Sequence, residues 1–444
     1  MDIGTKRLIL NGPVFNVLYG IYNYFLLTFI ANLFVEDNGS FTSLILAIAI
    51  IIVALNLIAI LIEFKNSNII TRTIARISEI WKGTSLYLLW FTIAIYIIGW
   101  FIAIPKSLIF LILFVIVPII AIYSVYNAIK IRTNTVNLEF DNLHQNISFA
   151  HISDVHFGSI RNKNFLKRIT KEINNISNSN NNTNTNINNN SNTNSNSSIN
   201  NNNINANKTE NPIDFLVITG DIADGTSPIA EDSFEPLSEI KVPVFFVIGN
   251  HDYYPGIENV LKAVDNANIK TLTNEIAEIK NIEIIGIPFK GNGPRPNELD
   301  DLDIETLESI KKSNNRLDKG SDKKLDKIAI LLYHIPIFWD LFRSFGVDLV
   351  LSGHTHGGQF FPFNFGVKTI FPFFKGLYTN TNTNDNEYNG KNQYLYVSEG
   401  IGTLQPPMRL GTNAEIAIFN LKPSQKSSKT NPKNSPKIKP KTDS

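Results

Sequence analysis

Cysteine is absent from all 444 residues, so disulfides and thiolate-held metals are excluded from the start. Any metal site must be built from carboxylate, carboxamide and imidazole groups. Net charge is also nearly absent: 40 Lys and Arg against 39 Asp and Glu leave +1. Without a basic excess to neutralise a phosphate backbone, no specific nucleic-acid partner is expected. Histidine is scarce, at seven residues, which makes the places where it occurs informative.

The first 130 residues lack charge over four long runs, 8–35, 38–62, 83–105 and 107–129. Each exceeds the roughly 20 apolar residues that a helix needs to cross a bilayer. Four transmembrane helices are therefore expected, at about 13–34, 43–62, 86–105 and 107–129, forming a membrane domain over residues 1–132. The first is the least apolar because it carries Asn residues, and Pro118 in the fourth is tolerated as a kink. No A-x-A-like cleavage site follows the first run, so a signal peptide fits poorly. Lys6 and Arg7 precede the first run, whereas Glu36 and Asp37 stand alone after it. Lys65, Arg72, Arg76 and Lys82 follow the second, and Lys130 and Arg132 follow the fourth. The positive-inside rule then puts both termini, and the domain that follows, on the cytoplasmic side of a multi-pass cell-membrane protein.

From residue 146 the pattern changes to short apolar runs separated by amphipathic segments. Strands are predicted at 147–153, 214–220, 242–249, 282–287, 328–334, 347–353, 393–400 and 415–421. Most are continuous apolar runs, as in strands buried on both faces. Helices are predicted at 164–175, 257–267 and 303–313. A layered α/β (α+β) domain over 146–421 follows. Two Asn-rich tracts, 174–208 and 379–393, have too little apolar surface to offset chain entropy and are expected to be disordered inserts. The tail, 422–444, holds seven lysines and is expected to be disordered, either simply solvated or in contact with anionic headgroups.

The polar residues that close these strands form a series. "SDVHFG" brings Asp154 and His156, "TGDIADG" brings Asp221 and Asp224, and "IGNHDY" brings Asn250, His251 and Asp252. "LLYHIP" adds His334, and "SGHTHGGQ" adds His354 and His356. Five of the seven histidines thus follow predicted strands, where groups scattered in sequence converge in space. Imidazole, carboxylate and carboxamide without thiolate suit a divalent ion of the Mn, Fe or Zn class. The set is too large for one ion and sufficient for two, with the two oxygens of Asp221 able to serve both. Paired cations a few ångströms apart clamp an in-line displacement at phosphorus. In extended chain, residues i and i+2 project to one side, which would let His354 and His356 each meet one ion while Thr355 points away.

The ordered series D-x-H, G-D-x-x-D, G-N-H-[DE], H, G-H-x-H resembles that of the calcineurin-like metallophosphoesterases. The resemblance covers about residues 146–421, the Asn-rich tracts excepted. It implies a two-sheet β-sandwich flanked by helices and a dinuclear metal centre. Asp154, His156, Asp221 and His356 would hold one ion, and Asp221, Asn250, His334 and His354 the other. It further implies direct attack on phosphorus by a metal-bridging hydroxide. His251 would stabilise the transition state or protonate the leaving oxygen, with Asp252 orienting its ring. "HTHGGQ" followed by "SEGIGTLQPPMRLGTNAEIAIFNL" also resembles the closing segment of a membrane-associated branch. The four membrane helices lie outside the family core and draw no support from it.

Taken singly, each motif has a plainer reading. Asp-x-His is common, Gly-Asp is a frequent turn, and a lone histidine such as His334 is more often packed than ligating. His151, inside a predicted strand, reads as packing and His144 as surface. Arg409 and Gln359 suit either a substrate phosphate or a structural bond. The complete ordered set points to a membrane-anchored phosphoesterase acting on a phosphodiester or a lipid- or nucleotide-linked phosphate. A catalytically silent membrane sensor or scaffold is the alternative, disfavoured because His251 and every ligand position are present. Transport is disfavoured because the four runs carry no charge within their cores.

Overall fold

The computed structural model describes residues 3–35, 41–65, 68–178, 212–225, 227–290, 299–314, 327–380 and 392–424. Most of the two Asn-rich tracts, and the tail from residue 425, lie outside them.

Apolar helices come first. They are α1 (Ile3–Asn32), α2 (Thr42–Lys65), α3 (Ile69–Gly99), α4 (Lys106–Leu111) and α5 (Val117–Ile129). A π-helical turn at Ile112–Ile116 joins the last two. It sits just ahead of Pro118, whose ring lacks an N–H and crowds the preceding turn. Among the described residues, Val14–Asn32, Ile69–Gly99 and Lys106–Ile129 are long and apolar enough to cross a membrane. That is three spans, not the four expected; Thr42–Ile58 of α2 is a shorter apolar stretch. Two Asn residues of the first run, Asn16 and Asn23, have partners on other helices. Asn56 Nδ2 donates to Asn16 Oδ1 at 2.8 Å, and Trp81 Nε1 donates to Asn23 Oδ1 at 2.9 Å. They bind helix to helix where no water competes.

Helix α3 differs from the expected third span. The stretch with Arg72, Arg76 and Lys82 is the first part of the helix and not a loop, and residues 100–105 are not helical. Asn68 caps it in a capping box with Thr71. At 31 residues it is about 46 Å long, against about 30 Å of hydrocarbon. Were it to cross a bilayer, its charged first turns would lie beyond the hydrocarbon.

Two mixed six-stranded sheets follow. The first, ordered β1-β12-β2-β3-β4-β5, comprises β1 (Ile131–Phe140), β2 (Ile147–Ile152), β3 (Phe215–Thr219), β4 (Val244–Val247), β5 (Lys270–Thr271) and β12 (Ala414–Pro423). The second, ordered β10-β11-β9-β8-β7-β6, comprises β6 (Glu275–Ile279), β7 (Ile282–Gly286), β8 (Ile328–Leu332), β9 (Leu349–Ser352), β10 (Gly376–Thr379) and β11 (Tyr394–Val397). Every predicted strand is present. β1 begins at residue 131, before the boundary read at 146, and runs parallel to β12 over ten paired positions.

The sheets face each other across Phe149, Phe215, Ile284, Ile330, Leu351 and Phe419. Phe149 stacks on Phe215 and Phe419 at 4.7 and 4.9 Å. Helices α6 (Lys163–Asn178) and α7 (Ile257–Asn266) cover the outer face of the first sheet. Helices α8 (Asp301–Asn314) and α9 (Trp339–Ser344) cover that of the second, and α10 (Phe363–Ile370) follows the last histidines. Both faces of the central strands are thus buried, which is why they read as unbroken apolar runs. The closing segment docks on the membrane helices. Arg409 N donates to Ser124 O at 2.9 Å, Asn127 Nδ2 donates to Thr412 O at 2.6 Å, and Met408 sits over Gly83.

Candidate metal centre

Strands β2, β3 and β4 are parallel neighbours in one sheet, and β8 and β9 are parallel neighbours in the other. Their carboxyl ends meet at one edge of the sandwich. Asp154 and His156 follow β2, Asp221 follows β3, Asn250 follows β4, His334 follows β8, and His354 and His356 follow β9. Two donor groups result, Asp154 with His156 and His356, and Asp221 with His334 and His354. A third, His156 with Asp221 and His251, bridges them.

In the first group His156 Nε2 and His356 Nε2 face each other at 3.0 Å, and Asp154 Oδ1 lies 3.4 Å from His356 Nε2. In the second His334 Nε2 lies 3.1 Å from Asn250 Oδ1 and 3.2 Å from Asp221 Oδ2. His354 Nδ1 lies 2.9 Å from Asn250 Oδ1. Asp221 Oδ2 is also 3.9 Å from His156 Nε2, so one carboxylate stands between the groups.

These donors fit cations. His334 Nδ1 donates to Thr219 O at 2.7 Å, which fixes the tautomer and leaves Nε2 to bind. Burial, then the positive neighbours, pushes His156 and His356 well below the ordinary imidazole range, which favours the neutral ring that a cation requires. Burial opposes charge on His334, yet Asp221 raises it to about 9, and His334 in turn holds Asp221 well below the usual carboxylate range. Burial raises Asp154 to about 6. A proton on His334 is thus held where a cation would satisfy the same carboxylate.

Space and backbone are as specialised as the donors. Asp154, His156, Asp221, His354 and His356 all have positive φ, between 51° and 71°. This left-handed region costs a non-glycine residue about 1–2 kcal/mol and collects at functional sites. The reading of His354 and His356 as strand alternation is therefore corrected. A bend and a 3-10 turn aim one ring at each donor group, while Thr355 Oγ1 donates to Phe374 O at 2.7 Å. Glycines make room for ligands from other strands. A Cβ on Gly353 would lie 2.3 Å from Asp154 Oδ2, one on Gly249 2.3 Å from Asp221 Oδ1, and one on Gly220 2.5 Å from His334 Nδ1.

The remaining candidates separate. His251 is half-buried beside the donors, its ring 4.8 Å from that of His156 and its Nδ1 3.5 Å from Asp224 O. Asp252 does not hold that ring. Its carboxylate accepts from the backbone N–H of Gly249, Asp221 and Ala223 at 2.8, 3.0 and 3.0 Å, tying two ligand loops together. Arg409 is fully buried, and its Nη2 donates to the carbonyls of Glu399, Gly400 and Gly402. Gln359 clamps Leu404 and Pro406. Both therefore make structural bonds. His144 is exposed, and His151 is buried against Thr219 Oγ1 at 2.8 Å. The left-handed ligands and the role of Thr219 carried no sequence signal beyond the neighbouring glycines.

Comparison with known proteins agrees with this geometry. The calcineurin-like phosphoesterase family model matches residues 147–358. An uncharacterized metallophosphoesterase of Helicobacter pylori is 30 % identical over 297 residues, 66 % of this chain and 64 % of that one. One from Campylobacter jejuni is 30 % identical over 320 residues, 71 % of this chain and 70 % of that one. A bovine transmembrane protein with metallophosphoesterase domain is 30 % identical over 217 residues, 46 % of this chain and 44 % of that one. This chain thus spans only part of the length of each relative.

Proposed function

The chain belongs to the calcineurin-like phosphoesterase family, and we propose that it is a membrane-anchored phosphoesterase that holds two divalent cations and cleaves a phosphodiester or a lipid-linked phosphate. The observation that carries this reading is the Asp221 carboxylate standing between two imidazole-rich groups. Asp154, His156 and His356 would hold one cation and Asn250, His334 and His354 the other, with Asp221 shared. Such a pair supplies positive charge for phosphoryl oxygens and lowers the pKa of water toward neutrality.

The chain's own groups do the rest. His251, the half-buried histidine beside the donors, stands where it can give a proton to a leaving oxygen. Asp252 acts as a positioning residue through the three N–H groups it binds. The anchor, in this reading, is residues 1–132 with α2 as a fourth span, and it keeps the catalytic unit of residues 146–421 at the cytoplasmic face. A lipid-linked substrate is favoured by an almost wholly apolar cavity of about 490 Å³ between membrane helices and catalytic loops. Trp90, Phe91 and Ile120 line it on one side, and Phe361, Pro362 and Leu410 on the other. Phe361 is only five residues beyond His356.

The test is hydrolysis of a chromogenic phosphodiester, a phosphomonoester and vesicle phospholipid by the full chain in detergent, with and without Mn. Asp221→Asn, which removes the shared charge, is expected to abolish metal-dependent turnover. Unchanged rates in this variant would refute the shared-ligand reading. Binding without any turnover would leave a scaffold.

A further inference from the structure

A second cavity, of about 350 Å³, opens where α3, α5 and the loop between β2 and α6 meet. Ile80, Val125 and Ile129 line it together with Arg76, Arg161 and Arg168, and among the described residues no acidic residue lines it. Arg161 is only 6 % exposed. Its Nη2 donates to Ala128 O and Thr403 Oγ1, each at 3.1 Å, but its Nε is buried with no partner. Arg76 donates to Ile160 O at 3.2 Å and Arg168 to Ile129 O at 2.7 Å. These acceptors are uncharged, and among the described residues no carboxylate pairs with any of the three. Burial, with Arg409, Arg168 and Arg76 adding to it, pushes Arg161 down to about 9. Arg161 also lies over the Phe165 ring at 4.7 Å, but among the described residues no anion offsets the cluster, and a partly buried positive cluster is costly until one joins it.

The place narrows the choice of anion. Arg76 and Ile80 lie in the first turns of α3, at headgroup level in the proposed anchor, and Val125 and Ile129 lie in the last turns of α5. An occupant must therefore offer an anionic group and an apolar chain at the same depth. Guanidinium forks match the oxygens of a phosphate. We propose that this cavity binds an anionic phospholipid, its phosphate held by Arg76, Arg161 and Arg168 and an acyl chain lying along Ile80, Val125 and Ile129. Gly158 N donates to Arg161 O at 2.7 Å in the turn that follows His156. The bound lipid would thus hold the metal-site loop against the membrane. The proposal does not depend on catalysis.

The test is native mass spectrometry of the full chain released from detergent with phosphatidylglycerol or phosphatidylcholine. Preferential retention of phosphatidylglycerol is expected. Arg76→Gln with Arg168→Gln should weaken that retention about tenfold or more, and the Lys counterparts should recover part of it. Arg161 is left intact because its bonds hold the loop, and exposed Arg168→Gln is read alone if the double variant melts early. Equal retention of the two lipids, or an undiminished preference in the Gln variants, would overturn the proposal. So would full displacement of the lipid by millimolar inorganic phosphate, which would make this a free-anion site.

Discussion

Gly353→Ala adds one methyl group at the tightest point of the metal centre. Its Cβ would lie 1.8 Å from Ser153 Oγ, 2.3 Å from Asp154 Oδ2 and 2.7 Å from Ser153 Cβ. Gly353 needs no left-handed backbone, so the obstacle is space alone. Even a tight contact would require a shift of about 1.2 Å, in a region packed without slack. Neither neighbour can give cheaply. Ser153 Oγ donates to Thr219 O at 3.0 Å, and both Asp154 oxygens accept from His354 N at 3.1 Å. Overpacking of this kind costs about 1–3 kcal/mol of stability. Because a misplacement of about 1 Å can cost roughly a hundredfold in rate, metal-dependent hydrolysis should fall by at least that factor. Mn affinity, read by calorimetry, should fall with it. Gly366→Ala is the control: its Cβ meets nothing within 4 Å in nearby α10, and the helix should gain up to about 1 kcal/mol. If Gly353→Ala kept wild-type rate and Mn affinity, the view that these glycines exist to admit ligands would be wrong.

Two further outcomes are expected. His251→Ala should lower turnover by about 10²–10⁴-fold while the bound-metal count, measured by elemental analysis, stays unchanged; loss of metal in step with rate would make His251 a ligand. His151, pushed by burial down to about 3, lies below its unfolded value, so the unfolded chain takes up a proton that the folded chain refuses. Stability is then untouched above about pH 6.5 and falls as pH drops from there toward about 3, with a slope approaching 1.4 kcal/mol per pH unit. His151→Gln should flatten that part of the melting-temperature profile between pH 6.5 and 4, and two parallel profiles would show that the ring titrates freely.

How legible the molecule was depended on whether a local pattern carried the information. Strands such as β3 and β8 announced themselves because both faces are buried, and the ligands because each follows such a strand. β1 did not, because "IRTNTVNLEF" is polar at six of ten positions and buries nothing in its first half, and its register on β12 makes it a strand. The start of α3 was hidden by Arg72, Arg76 and Lys82, which look like a loop until the helix is seen to begin at Ile69. The left-handed backbones of Asp154 and His356 belong to residue types that do not favour them, so neither side chain discloses its conformation. Asp252 is similar: the resemblance implied that it orients the His251 ring, whereas its carboxylate accepts from three backbone N–H groups.

Only Lys130 separates α5, which ends at Ile129, from β1, which begins at Ile131. With no tether there to pivot on, the catalytic unit cannot roam as a ball on a chain would. If α5 crosses a bilayer as proposed, the height of the folded domain above the lipid is built in like the blade of a plane, set by how deeply α5 sits. A change in bilayer thickness would then move the blade itself, and with it the layer of molecules within its reach.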